Sequence, residues 1–227
     1  MFIKKINPNL SQALEDAGIS VPTELQKETF GTIKSGADCV ISAPDKFGKT
    51  TAIVIHVIQR LEKEFEESPR AFIMVQDKAK VLEVQELFKK YGNYTDLRVY
   101  GVYEQGDLDY DKNQISLGID VIVGTPGRLN DMFSSAGFDV NQLKMFIIDD
   151  ANEILKLRHD TKIMRMSDGI TRTQRLFFTE EITERVESLA DKIMIEPLFF
   201  EFDGEDEDVE EDEDTEESDN GIGETKE

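Results

Sequence analysis

The segment ISAPDKFGKT, residues 41–50, decides how the chain is read. It follows an apolar run, CVISA (39–43), and leads into TTAIVIHVIQRLEKEFEE (50–67), where Ile53, Val57, Ile58, Leu61 and Phe65 recur near helical spacing. A strand, a turn and a helix that opens Gly-Lys-Thr is the layout of a phosphate-binding loop. Gly48 lets backbone approach a phosphate, Lys49 reaches the outer phosphates, and Thr50 offers a hydroxyl to a magnesium ion. The plain alternative is a helix N-terminus with an exposed lysine. Ala43 stands where the general pattern has its first glycine, and Asp45, Lys46 and Phe47 fill the turn.

Outward from this loop, short apolar runs alternate with longer amphipathic stretches. The runs are RAFIMV (70–75), LRVYGV (97–102), DVIVG (120–124), KMFIIDD (144–150), RLFFT (175–179) and PLFFEF (197–202). KAKVLEVQELFKKY (78–91) and ITERVESLADKI (182–193) are the other helical stretches, and 103–118 has no assigned element. Continuous apolar strands joined by helices imply an α/β fold with a mostly parallel sheet covered on both faces.

The chain has 227 residues, 39% of them hydrophobic, enough for one domain with a core. Its net charge of −22 is uneven, because residues 201–227 carry −15 of it. From Asp203 onward almost nothing is apolar, so 203–227 is expected to be a disordered acidic tail after a domain at 1–202. A single cysteine, Cys39, forms no internal disulfide, and no apolar run reaches the ~20 residues of a membrane span. With no apolar segment near the N-terminus to act as a leader, the expectation is a soluble, cytoplasmic protein without a membrane partner.

Six blocks in order carry a family resemblance: PTELQ (22–26), GAD (36–38), the loop, VGTPGRL (123–129), IIDDAN (147–152) and LFFTEE (176–181). Together they resemble the N-terminal RecA-like (P-loop NTPase) domain of DEAD-box RNA helicases, over roughly residues 2–202. The resemblance implies ATP and magnesium as cofactors and RNA as a partner. It places Phe2 and Gln26 at the adenine, and Ala43, Gly48, Lys49 and Thr50 at the phosphates. Thr50 and Asp149 fall at the metal, Asp150 at the catalytic position, and Thr125, Pro126, Gly127 and Arg128 at the RNA backbone.

Departures from the family pattern bear on activity. Asp45 and Lys46 replace a threonine and a glycine of the loop. A carboxylate 4 Å from a phosphate at a dielectric near 20 is repelled by about 4 kcal/mol. The Asp-Glu-Ala-Asp of the family is Asp149, Asp150, Ala151 and Asn152 here, and its Ser-Ala-Thr is Thr179, Glu180 and Glu181. Asp150 is shorter than glutamate by one bond, ~1.5 Å. The family's Pro-Thr-Arg-Glu-Leu RNA contact is replaced by Gln76–Lys80 and reads as lost. Only 25 residues follow Phe202, too few for the second RecA-like domain that supplies arginine fingers.

The expected function is therefore a degenerate, helicase-like pseudoenzyme that binds RNA and weakly binds ATP without unwinding alone. Two rivals stand beside it: an ATPase half-site completed in trans, and a ligand-free protein scaffold. Six bases between 156 and 175 suggest a solvated face or an RNA patch that the tail covers, the tail otherwise serving solubility or a protein partner. His56, His159, Phe177, Phe178 and Cys39 read as structural.

Overall fold

A computed structural model describes residues 6–170 and 172–203. Phe2 and nearly all of the acidic segment lie outside the described residues. The elements alternate along the chain: α1 (Pro8–Asp16), α2 (Glu24–Ser35), β1 (Cys39–Ser42), α3 (Lys49–Leu61), β2 (Ala71–Met74), α4 (Lys78–Tyr91), β3 (Val99–Val102), α5 (Leu108–Ser116), β4 (Val121–Gly124), α6 (Pro126–Ser134), β5 (Met145–Ile148), α7 (Ala151–Lys156), α8 (Asp160–Asp168), β6 (Gln174–Thr179), α9 (Glu184–Ile193) and β7 (Leu198–Glu201). The strands form one seven-stranded sheet in the order β3-β4-β2-β5-β6-β1-β7, every pair parallel.

Side chains alternate across a strand, so each apolar run feeds two cores. Ile41, Ile73, Val123, Ile147 and Phe178 face one side, where they join apolar residues of α1 to α4. Val40, Phe72, Ile122, Phe146 and Phe177 face the other, where they meet α5 to α9. Both faces being covered explains why the strands are continuously apolar. No described helix is long and apolar enough to cross a membrane.

The expected helix over 50–67 ends early. α3 stops at Leu61, and Glu62 turns the chain with φ 62°. Phe65 is consequently off the helical face and 46% exposed, with the Arg70 guanidinium over its ring. The unassigned 103–118 contains α5, capped by the Asp107 carboxylate, which accepts from Tyr110 N.

Buried polar groups fix the strand ends. Asp38 accepts from Arg175 N at 2.7 Å and Ile195 N at 2.9 Å, tying the entries to β6 and β7 to β1. Asp120, fully buried, accepts from Arg70 and Arg98 at the same end of β2, β3 and β4. The opposite, carboxyl end of the sheet is where ligands bind in open α/β folds, and the loop lies there.

Candidate functional site

The loop leaves β1 with Ala43 buried, its N–H donating to Thr179 O. Two residues then take left-handed backbone: Lys46 at φ 65° and Gly48 at φ 84°. Gly48 does so freely, whereas a residue with a Cβ is strained there by roughly 1–2 kcal/mol. Lys46 thus takes a backbone shape that glycine would adopt without strain. Phe47 is drawn inward, its ring centroid 6.0 Å from that of Phe202.

Lys49 is 6% exposed and folds back into the turn. Its ammonium donates to Ala43 O at 2.6 Å and Pro44 O at 3.0 Å, with Asp45 Oδ1 3.9 Å away. Those carbonyls hold the charge that a phosphate would otherwise meet. Asp45 is 82% exposed. Water screens it, so its repulsion of an anion at 4 Å falls from the expected 4 kcal/mol toward about 1 kcal/mol.

An open cleft of about 380 Å³ is bounded by Lys46, Gly48, Lys49, Thr50, Lys80 and Asp150 among others. Behind it, Thr50 Oγ1 donates to Asp149 Oδ2 at 2.9 Å. Asp149 follows β5 and is almost fully buried. Burial, then the neighbouring Asp150 charge, push its carboxyl up to about 6, against the pull of Lys80, Thr50 and Lys49. Burial likewise raises Asp150, which precedes α7 in a left-handed backbone conformation and makes no side-chain capping bond to it.

One residue in this cleft was not legible as a site residue. Lys80, in the first turn of α4, carries its ammonium to 3.9 Å from Asp149 Oδ2 and 3.3 Å from Glu83 Oε2. Thr50 and Asp149 do come together as a magnesium site requires, and Asp149 Oδ1 is buried without a partner. A dication between them would nonetheless stand near the Lys80 charge. At 4 Å and a dielectric near 20 the repulsion is about 8 kcal/mol, twice that of two unit charges. With Lys80 in this position, its ammonium and a magnesium ion would compete for the Asp149 carboxylate.

Gln26 and Thr23 form a reciprocal cap on α2: Thr23 N donates to Gln26 Oε1, and Gln26 N donates to Thr23 Oγ1. The cap abuts the loop, because a Cβ on Gly48 would lie 3.7 Å from Thr23 Cγ2 and 3.9 Å from Gln26 Nε2. Gln26 is therefore beside the 43–50 loop with its amide oxygen already used. On the other flank, Thr179 and Glu180 N converge on Asn152 Oδ1, at 2.8 Å and 3.3 Å. Glu180 and Glu181 themselves are exposed.

Thr125, Pro126, Gly127 and Arg128 open α6 beyond β4. Their polar groups are turned inward. Arg128 is 6% exposed, donates from Nε to Tyr103 O and from Nη2 to Gly106 O, and lies 3.4 Å from Asp111 Oδ2. Thr125 Oγ1 donates to Glu104 Oε2 at 2.7 Å, and Glu104 Oε1 would be 2.5 Å from a Cβ on Gly127. A carboxylate thus lies over the segment expected to meet RNA phosphates. In the basic stretch, Arg175 is buried and bonded to Ser167, Thr173 and Ile170, so it is not part of any surface patch.

Residues 23–187 match the DEAD/DEAH box helicase family. The chain belongs to that family. Among curated DEAD-box proteins, the chain is 27% identical over 196 residues to the ATP-dependent RNA helicase DeaD of Mycobacterium tuberculosis, covering 86% of this chain and 35% of that protein. It is 25% identical over 197 residues to the DEAD-box ATP-dependent RNA helicase CshC of Bacillus cereus, covering 86% and 50%. The chain thus spans between about a third and a half of the length of these relatives. A crystal structure of a DEAD box protein from Methanococcus jannaschii shares the fold, with a TM-score of 0.81 at 20% identity over 86% of this chain and 54% of the other. The RecA-like α/β fold expected from the sequence is therefore the one found.

Proposed function

We propose that this DEAD-box domain, residues 1–202, is a weak nucleotide-binding module with little hydrolytic activity of its own, and that 203–227 is a separate acidic segment. The observation that carries the reading is the loop itself. Ala43, Gly48, Lys49 and Thr50 stand at the carboxyl end of β1 and the start of α3, beside Gln26 and facing Asp149. The helix N-terminus and the Lys49 ammonium suit an anion there. Binding is weakened because Lys49 must first leave Ala43 O and Pro44 O.

Poor hydrolysis follows from Asp150. Its carboxylate ends about 1.5 Å short of a glutamate's, and a misplacement near 1 Å costs roughly 100-fold in rate. RNA binding, implied by the family, is weakened by Glu104 over Gly127 and by the inward turn of Arg128.

The reading is tested by melting the protein with ADP and with ATP, for wild type and Lys49→Ala. Nucleotide at about ten times its Kd adds ~1.4 kcal/mol, a rise of roughly 3–5 °C for a domain this size. The rise is expected in wild type and absent in the variant. No rise in either favours the ligand-free scaffold.

A second reading has the domain as half of an ATPase completed in trans. It is favoured by the satisfied contact between Asn152 and Thr179, which keeps the two motifs joined. It requires turnover that appears only with a partner and vanishes with Lys49→Ala.

A further inference from the structure

We propose that the Lys80 ammonium serves as the cation at Asp149, so that the loop holds the phosphates of a nucleotide without magnesium. This rests on the loop being a nucleotide site, and deepens that reading by naming the form of ligand taken. β2 and β5 are hydrogen-bonded neighbours, with Met74 opposite Ile148, so the chain leaves both strands side by side. Asp77 accepts from Lys80 N at 2.9 Å and fixes the first turn of α4 there. Lys80 is then aimed across the cleft at Asp149, its side chain 23% exposed.

Charge arithmetic points the same way. The cleft and its floor hold Asp45, Glu83, Asp149 and Asp150 against Lys46, Lys49 and Lys80. Removing Lys80 leaves four carboxylates and two ammonium groups around a ligand that is itself an anion. A second cation is then required, and a magnesium ion brought by the nucleotide would supply it. With Lys80 present the same place is held by a group covalently part of the fold, an ammonium 3.9 Å from Asp149 Oδ2 with N–H groups to offer a phosphate oxygen.

The test is an equilibrium titration with fluorescent ADP, in excess magnesium and in excess EDTA, on wild type, Lys80→Met and Lys80→Arg. The melting curve of each variant establishes that it is folded. Wild type is expected to bind with nearly the same Kd in both buffers. Lys80→Met is expected to lose about ten- to a hundredfold in EDTA, the worth of a charge-assisted contact, and to recover it in magnesium. Lys80→Arg is expected to keep binding in EDTA. Wild-type binding that needs magnesium, or a Lys80→Met protein with the same magnesium dependence as wild type, overturns the proposal and leaves the loop reading intact. Absence of binding by wild type in either buffer overturns the loop reading, and this proposal with it.

Discussion

Thr179 Oγ1 lies 2.8 Å from Asn152 Oδ1, and Glu180 N donates to the same oxygen at 3.3 Å. Through this oxygen the end of β6 is tied to α7, the helix that follows Asp149 and Asp150. Asn152 and Thr179 are both buried. Asn152→Ala removes the acceptor; the Thr179 hydroxyl can still donate to Glu181 O at 2.9 Å, but Glu180 N is left unpaired, which costs about 1–3 kcal/mol. Urea denaturation should show a lower midpoint with an unchanged slope. Asn152→Asp keeps the acceptor and should cost less.

Arg128 and Glu104 should behave in opposite ways. Arg128→Ala leaves Asp111 buried and without its cation, so it should destabilise the fold by about 3–5 kcal/mol. Its effect on RNA binding will then be inseparable from unfolding. Glu104→Gln removes one exposed carboxylate over Gly127. At about 1 kcal/mol for a screened charge near 4 Å, RNA affinity at low salt should rise about fivefold, measured by fluorescence anisotropy with a short single strand. Unchanged affinity would mean that Gly127 is not at a phosphate.

His56 sets an acid limit on stability. It is 3% exposed, its ring 5.8 Å from that of Phe30, and burial pushes its imidazole down to about 4. The unfolded chain binds this proton below about 6.5, while the folded protein resists it until about 4. The stabilisation is therefore whole above pH 6.5 and is lost as pH falls toward 4, by about 3 kcal/mol in all. His56→Leu should flatten that limb of the stability-versus-pH curve. A curve as steep as that of wild type would show that other groups control acid unfolding.

Lys46 tests the strain in the loop. Lys46→Gly relieves roughly 1–2 kcal/mol at φ 65° but loosens the unfolded chain by about 0.5–1 kcal/mol. A net gain of about 0.5 kcal/mol, or 1–2 °C in Tm, is expected from calorimetry.

The sheet was legible because a strand buried on both faces needs continuous apolar sequence, as RAFIMV and KMFIIDD have. Phe65 misled because helical spacing persists past Leu61, whereas the backbone at Glu62 turns. α5 was hidden by having few buried apolar residues, Ile115 among them. The positions of Gln26, Lys49, Thr50 and Asp149 followed from motif order. Lys80 and Glu104 did not, because their roles depend on β2 lying beside β5 and on a side chain crossing to Gly127. Arg128 looked available because its motif is intact, yet its partners, Tyr103, Gly106 and Asp111, lie in 103–118, where the sequence pattern alone assigns no element.

The most direct measurement is the affinity of fluorescent ADP for wild type and Lys49→Ala in one buffer, with the fold of each verified by its melting curve. Lys49 is held by two loop carbonyls at 2.6 Å and 3.0 Å, and a phosphate must replace them. Saturable wild-type binding that Lys49→Ala abolishes is the predicted result. Binding of equal strength to both proteins, or no binding to wild type at millimolar nucleotide, would contradict the claim that this loop is a phosphate site.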